Sequence, residues 1–134
     1  DIVFDAQQKA INSVKPNTTL SKIHKIALEV LVQGLKDIKI LKGSKDEIIE
    51  RNLYKEFYMH GTSHWLGLDV HDVGSFETPM REGMVFTCEP GIYILEEELG
   101  IRLENDVLVT KDKPFDLMGN IPIELNEIEE MMNT

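Results

Sequence analysis

The stretch HGTSHWLGLDVHDVG, residues 60–74, holds three of the four histidines of this 134-residue chain. His60, His64 and His71 lie close together there, among glycines and two aspartates. Uncharged imidazole is a good ligand for transition metals and titrates near neutral pH. A single histidine more often makes an ordinary structural hydrogen bond. The grouping of three histidines, and not any one of them alone, therefore indicates a functional site.

Two glutamates interrupt the apolar runs that follow this stretch. Glu89 lies within FTCEPGIYI and Glu104 within GIRLENDVLV. A charge in such a run is costly unless it is paired or bound to a metal. On paired antiparallel strands both carboxylates could project toward one point, where like charges require cations between them. The alternative is that both face solvent. Together with His64, they predict a metal site.

Other polar residues nearby could support such a site or could be purely structural. Asp69 and Asp72 flank His71, where a carboxylate can fix the tautomer of an imidazole or can simply form a turn. Arg102 should share a strand face with Glu104, and could orient that carboxylate or only pair with it. The dipeptide Pro90-Gly91, directly after Glu89, predicts a kink in its strand.

The spacing of apolar residues predicts helices first and strands after them. The helices are predicted at 2–14, from 20 onward, at 46–53 and at 123–132. Turn and cap residues precede the second helix, and Ser44 with Glu47 has capping-box spacing before the third. In the closing helix, Leu125, Ile128 and one of the last two methionines are expected to face inward.

Residues 54–76 are predicted to be loop and short strand, the setting in which sites are often built. Strands at 84–94 and 101–110, joined by the acidic loop 95–100, predict an antiparallel hairpin. Residues 79–83 and 111–114 are predicted as turns. The fold class is α+β, with helices packed on one face of an antiparallel sheet.

Composition excludes some functional classes and favours others. The chain has 24 Asp and Glu against 14 Lys and Arg, a formal net charge of −10. This acidity argues against nucleic acid as a partner. No apolar run approaches the roughly 20 residues that a membrane-spanning helix needs. The one cysteine, Cys88, favours a reducing, cytoplasmic location. Since it lies in an apolar run, it is predicted to be a core residue.

Three motifs together resemble one known family. They are HGTSHWLGLDVHDVG at 60–74, REGMVFTCEPGIYI at 81–94 and GIRLENDVLVT at 100–110. In this order they resemble the catalytic domain of the proline-specific metalloaminopeptidases, above all the Xaa-Pro aminopeptidases (aminopeptidase P). Prolidase, methionine aminopeptidase and creatinase are more distant relatives with the same pita-bread fold. Three ordered motifs are much more specific than one short pattern.

The resemblance implies a site for two divalent metal ions, most commonly manganese, with cobalt or zinc as possible substitutes. The family's ligands are two aspartates, one histidine and two glutamates. By motif position His64 matches the histidine ligand, Glu89 a ligand that also transfers a proton, and Glu104 the glutamate that bridges both metals. His60 and His71 match histidines that contact the substrate and steady the reacting carbonyl.

Arg102 matches an arginine beside the bridging glutamate, but the aspartate ligands have no counterpart. The family carries them on an earlier hairpin, in a pattern like D-x-G followed by D-[IL]-[ST]-R, which does not occur here. We therefore expect residues 1–134 to be a partial C-terminal catalytic (metallopeptidase) domain. It would be the second half of a pita-bread fold, truncated at its N-terminal side. Alone, it is expected to bind metal weakly, to hydrolyse little and to form a homo-oligomer through uncovered apolar surface.

The function implied for the complete protein is metal-dependent release of an N-terminal residue that is linked to proline, by attack of metal-activated hydroxide. Its partner is a peptide with proline at the second position. The alternatives are a non-catalytic pita-bread module that binds peptides or proteins, and a prolidase that takes Xaa-Pro dipeptides. A cysteine–histidine hydrolase that uses Cys88 is a weaker alternative.

Overall fold

The computed structural model describes residues 1–133 and begins with two long helices. Helix α1 covers Ile2–Asn12 and helix α2 covers Leu20–Asp37. Their apolar residues recur every three or four positions, so each helix presents one apolar face, and these faces pack together. The hydroxyl of Thr19 caps α2 by accepting the N–H of Lys22 at 3.2 Å. The first helix ends slightly before the predicted residue 14.

Two shorter helices complete the helical part. Helix α3 covers Lys45–Glu50, and its Ser44 cap accepts the N–H of Glu47 at 3.1 Å, which confirms the capping prediction. A 3₁₀ turn, Leu53–Glu56, takes the place of the predicted end of this helix. Helix α4 covers Leu125–Met132. Among the helices in residues 1–133, none combines the length and the apolar character needed to cross a bilayer.

Within residues 1–133, the strands form two small antiparallel sheets. The first sheet has the order β1-β4-β5, and the second pairs β2 with β3. The strands are β1 Val85–Cys88, β2 Gly91–Ile94, β3 Leu99–Arg102, β4 Asn105–Leu108 and β5 Phe115–Asp116. A 3₁₀ turn, Leu95–Glu97, lies in the predicted acidic loop. Strand β5 was not predicted, because two residues are too few to show alternation.

One antiparallel register runs through both sheets. Cys88 lies opposite Asn105 in the first sheet, and Gly91 lies opposite Arg102 in the second. Since both pairs belong to the same register, the chain forms a single hairpin that passes from one sheet to the other. The predicted hairpin is therefore confirmed, but each of its two predicted strands is divided in two.

The division falls at the two candidate glutamates. Glu89 follows β1 directly, and Glu104 lies between β3 and β4, opposite Glu89 in the shared register. Pro90 has no N–H to give to the facing strand, whereas the Leu103 N–H donates to the Pro90 carbonyl at 3.3 Å. The ladder is weakened at this point, and β1 ends where the site begins, next to the position of the predicted kink.

The core lies between the two long helices and the first sheet. Helix α1 lies against β1, so the helices cover one face of that sheet, as the fold class predicts. The side chains that form this cluster and are fully buried include Ala6, Ala10, Ile23, Ala27, Leu31, Leu35, Phe86, Cys88, Val107 and Val109. Burying one large side chain of this kind stabilises the fold by about 1.5–3 kcal/mol.

Helix α4 is the element whose packing was predicted wrongly. Leu125 is 46% exposed and Ile128 is 36% exposed, although both were expected to face inward. They border an apolar groove beside the second sheet, where Leu99 and Ile101 are also about half exposed. A two-stranded sheet of four-residue strands offers too little surface to bury a helix face.

Candidate metal centre

Residues 62–66 run antiparallel beside β1 and bring His64 to the glutamates. The Thr87 N–H donates to the His64 carbonyl at 2.9 Å, and the Glu89 N–H donates to the Thr62 carbonyl at 2.7 Å. Because residues two apart on a strand share a face, Thr87 and Glu89 lie on one side of β1. The histidine opposite Thr87 lies on that side too.

The three predicted ligands meet at this point. One ligand atom from each of His64, Glu89 and Glu104 can be chosen so that all three lie within 4.8 Å of one another. Nε2 of His64 is 3.4 Å from Oε1 of Glu89. All three side chains are partly buried. The register that sets Glu89 opposite Glu104 thus gives the convergence that the sequence led us to expect.

The hydrogen bonds of His64 leave one ring nitrogen for a ligand. Its Nδ1 lies 3.0 Å from the carbonyl oxygen of Trp65. A carbonyl oxygen only accepts, so we assign the proton to Nδ1. In the neutral ring, Nε2 then carries a lone pair on the side of Glu89. One imidazole nitrogen with two carboxylates is a donor set that fits manganese, cobalt or zinc.

Thr87 connects two of these ligands, and sequence reasoning missed it. Its hydroxyl accepts the backbone N–H of His64 at 3.0 Å and donates to Oε1 of Glu89 at 3.0 Å. Its side chain is almost fully buried. Strand alternation could have indicated it, because it lies two residues before Glu89 on the same face.

Arg102 contacts Glu104, as its position in the sequence predicts. Its Nη2 lies 3.5 Å from Oε2 of that glutamate. The arginine side chain is about half exposed. Exposed pairs of this kind contribute about 0–1 kcal/mol to stability. That Arg102 orients the carboxylate stays a prediction.

The ring of His71 lies beside that of His64. The two rings meet edge to face, with centroids 4.2 Å apart. The intervening loop folds back on Trp65, whose Nε1 donates to the Ser75 carbonyl at 3.1 Å. Gly74 permits this return, because a Cβ there would overlap the indole ring. His71 is exposed.

The structure does not join the two predicted aspartates to a histidine. Asp72 accepts the backbone N–H of Leu68 at 3.0 Å and that of Val73 at 2.8 Å, contacts that form the turn. Asp69 is exposed in the same turn. That either carboxylate orients His71 stays a prediction.

His60 is not a member of the three-ligand cluster, and it lines an adjoining cavity. Its Nε2 is 2.8 Å from the Tyr93 hydroxyl, and its Nδ1 is 2.7 Å from the Gly61 carbonyl. Both ring nitrogens therefore have partners. The cavity, of about 420 Å³, is lined by His60 together with His24 and Tyr58 among others.

A polar cluster in the wall of this cavity was not predicted. Nδ1 of His24 is 2.9 Å from the Thr62 hydroxyl, which lies 2.6 Å from the Tyr58 hydroxyl. Burial lowers the pKa of His24, and the charges of His60 and Lys55 lower it further. Burial also raises the pKa of Tyr58. No local pattern joins these residues, because His24 lies on α2, far from Thr62 along the chain.

Cys88 is a core residue, as predicted. Its side chain is fully buried, and burial, with smaller contributions from Glu89 and Asp116, raises the pKa of its thiol to about 12. The thiolate is the nucleophilic form of cysteine. This environment argues against the cysteine–histidine hydrolase.

Comparison with known proteins gives a consistent result. Residues 1–111 match the model of metallopeptidase family M24. The chain is 40% identical over 145 residues to the Xaa-Pro aminopeptidase of Haemophilus influenzae, an alignment that covers 99% of the chain and 34% of that relative.

Solved structures give the same match. Escherichia coli aminopeptidase P with the inhibitor Pro-Leu superposes with a TM-score of 0.93 at 36% identity, over 99% of this chain and 33% of that one. The zinc-substituted form of the same enzyme in complex with product gives a TM-score of 0.92 at the same identity and coverage. The chain thus spans about a third of the length of the relatives it matches. The likeness confirms the predicted α+β pita-bread class.

Proposed function

Because the chain belongs to metallopeptidase family M24, we propose that it carries part of the active site of a metal-dependent Xaa-Pro aminopeptidase. Such an enzyme releases the first residue of a peptide whose second residue is proline. The observation that carries the proposal is the convergence of His64, Glu89 and Glu104 within 4.8 Å. The similar proteins that are named Xaa-Pro aminopeptidase support the substrate class.

The residues present fit a divalent metal. His64 would bind through Nε2, and Glu89 and Glu104 through their carboxylates. When bound, a pair of such ions supplies Lewis-acid chemistry and lowers the pKa of a nearby water. We propose manganese as the native metal, with cobalt or zinc as substitutes. The existence of a zinc-substituted E. coli aminopeptidase P supports zinc as a substitute.

The chain's own residues have distinct proposed roles. Glu89, held by the Thr87 hydroxyl, takes a proton from the attacking water and passes it to the leaving nitrogen of proline. His71, exposed beside His64, donates an N–H to the carbonyl oxygen under attack. His60 contacts the substrate from the adjoining cavity. The hydrogen bond between its Nε2 and the Tyr93 hydroxyl must break before this nitrogen can bind the substrate.

We further propose that residues 1–134 alone form an incomplete centre. Of the five ligands that the resemblance implies, the two aspartates have no counterpart in this sequence. Weak metal binding and little hydrolysis should follow. A partial C-terminal catalytic domain, a cytoplasmic location and self-association through exposed apolar residues such as Leu99 and Ile101 belong to the same proposal.

A metal titration tests the centre itself. Mn²⁺ is titrated into the purified chain and followed by calorimetry, in the wild type and in His64→Ala. We expect weak binding that His64→Ala abolishes. His24→Ala is the matched control, because His24 is also a partly buried histidine but lies outside the three-ligand cluster. Equal binding by the wild type and His64→Ala would remove the basis of the proposal.

A hybrid enzyme tests the activity. The matched third of E. coli aminopeptidase P is replaced by this chain, and folding is checked by thermal unfolding. We expect Mn²⁺-dependent release of the first residue from Xaa-Pro peptides, no release from the same peptides with alanine in place of proline, and loss of activity with His64→Ala. A folded hybrid that lacks activity would contradict the proposal. Hydrolysis of dipeptides alone would favour the prolidase alternative.

The isolated chain is assayed in parallel with intact E. coli aminopeptidase P. Hydrolysis at a comparable rate would contradict the idea that further ligands are needed.

A further inference from the structure

Gln7 on α1 is a buried amide directly behind the candidate metal centre. Its side chain is fully buried beside Ala6 and Ala10 on the apolar face of the helix. Its Nε2 donates to the Cys88 carbonyl at 3.3 Å and to Oδ1 of Asn105 at 3.2 Å. One amide group on the helix therefore holds two strands.

These contacts fall at the residues next to the candidate ligands. Gln7 binds the residue immediately before Glu89 and the residue immediately after Glu104, which lie opposite each other in the hairpin. Successive side chains point to opposite faces of a strand. The amide thus joins the strands on the helix side, and the glutamates project from the other side. Pro90, two residues after Cys88, gives no N–H to the facing strand, so the link through Gln7 adds to a ladder that is weakened nearby.

Stability alone does not explain why a glutamine occupies position 7. Among the described residues, Oε1 of Gln7 has no hydrogen-bond partner although it is buried. An unpaired buried acceptor costs about 1–3 kcal/mol, which an apolar side chain of similar length would avoid. Nε2 of Gln7, in contrast, belongs to a hydrogen-bond network. Its acceptor Asn105 in turn donates from Nδ2 to Oδ2 of Asp116 at 2.7 Å.

We propose that Gln7 is a positioning residue for the metal centre. By holding Cys88 and Asn105 together it fixes the separation of the Glu89 and Glu104 carboxylates, and so sets the affinity for a divalent cation. The inference rests on the proposed function, because it requires that these carboxylates bind metal. Removing an outer partner that orients ligands lowers metal affinity by about 10- to 100-fold.

The test is a Co²⁺ titration of Gln7→Met, followed by visible absorption. We expect the affinity to fall at least about tenfold and the absorption bands to change, because they report the ligand geometry. The unfolding temperature of the metal-free chain should fall only modestly, because methionine is similar in length and removes the unpaired Oε1, although it leaves the Cys88 carbonyl and Oδ1 of Asn105 without this donor. Gln8→Met, one position along the same helix, is the matched control and should match the wild type in both measurements.

A second variant keeps the test decisive if Gln7→Met does not fold. Asn105→Ala removes the acceptor on β4 and leaves α1 intact, and it should weaken Co²⁺ binding similarly. In the double variant the two losses should not add, because both remove one link. Wild-type affinity and spectrum in either single variant overturn the role of Gln7. A wild-type chain that binds no Co²⁺ refutes the metal centre itself, together with this inference.

Discussion

Glu104→Gln should make the chain more stable without metal and less stable with it. Glu104 lies opposite Glu89, and the two carboxylates belong to a cluster whose ligand atoms lie within 4.8 Å. Replacing one carboxylate by a neutral amide of the same shape removes their repulsion. It also removes a ligand, so the same change should have opposite effects on the metal-free and metal-bound chain.

The repulsion can be estimated from this geometry. Two unit charges at the outer limit of this cluster, 4.8 Å, interact by roughly 3 kcal/mol at an effective dielectric constant of about 20. The Glu104 side chain is 36% exposed, and Arg102 lies 3.5 Å from it. Solvent screening and this partner reduce the repulsion to about 1 kcal/mol. Without metal, the free energy of unfolding of Glu104→Gln should therefore be higher by about 1 kcal/mol.

Bound metal should reverse the order of stability of the wild type and Glu104→Gln. At a Mn²⁺ concentration of about 100 times its dissociation constant, the wild type gains about 2.7 kcal/mol. If the variant binds about 100-fold more weakly, it gains only about 0.4 kcal/mol from the same concentration. With metal, the wild type should then be the more stable protein by about 1 kcal/mol.

Urea unfolding with and without Mn²⁺, in the presence and absence of chelator, measures both differences. Glu82→Gln, in the exposed turn before β1, is the matched control and should follow the wild type in every condition. A metal-free Glu104→Gln that is less stable than the wild type would show that the carboxylates do not repel each other. Equal gains from Mn²⁺ in both proteins would show that Glu104 is not a ligand.

Two further predictions concern Thr87, beside the site, and His24, outside it. Thr87→Val removes the hydroxyl between His64 and Glu89 and leaves a buried N–H unpaired, so it should lower the free energy of unfolding by about 2–3 kcal/mol and weaken Mn²⁺ binding. Thr87→Ser keeps the hydroxyl and should lose only about 0.8 kcal/mol; equal losses in urea unfolding would contradict the bridging role. The lowered pKa of His24 means that the unfolded chain takes up a proton there more readily than the folded chain. The stability from this residue should be complete above a pH of about 6.5 and should be lost as the pH falls through the lowered pKa. Urea unfolding at about pH 7.5 and about pH 5 should show a smaller pH effect in His24→Gln than in the wild type, and identical pH effects would argue against it.

Local patterns were enough to predict most of the elements. The spacing of apolar residues predicts α1 and α2, the capping residue Ser44 predicts the start of α3, and alternation predicts the hairpin. Each of these signals lies within a short segment of the sequence. The division of the hairpin follows from Pro90, whose missing N–H can also be anticipated. Helix α4 could not be placed, because an apolar stripe shows which face seeks burial but not whether a surface is available to cover it.

The chemistry of the candidate site was determined by the sequence, because it depends on which side chains follow one another in the motifs. The motifs alone identify His64, Glu89 and Glu104 as candidate ligands. Only the tertiary structure decided that their ligand atoms lie within 4.8 Å, that Thr87 bridges two of them and that Gln7 reaches both strands from α1. These contacts depend on strand register and on the packing of a helix far away in the chain. Local periodicity carries no information about such long-range distances.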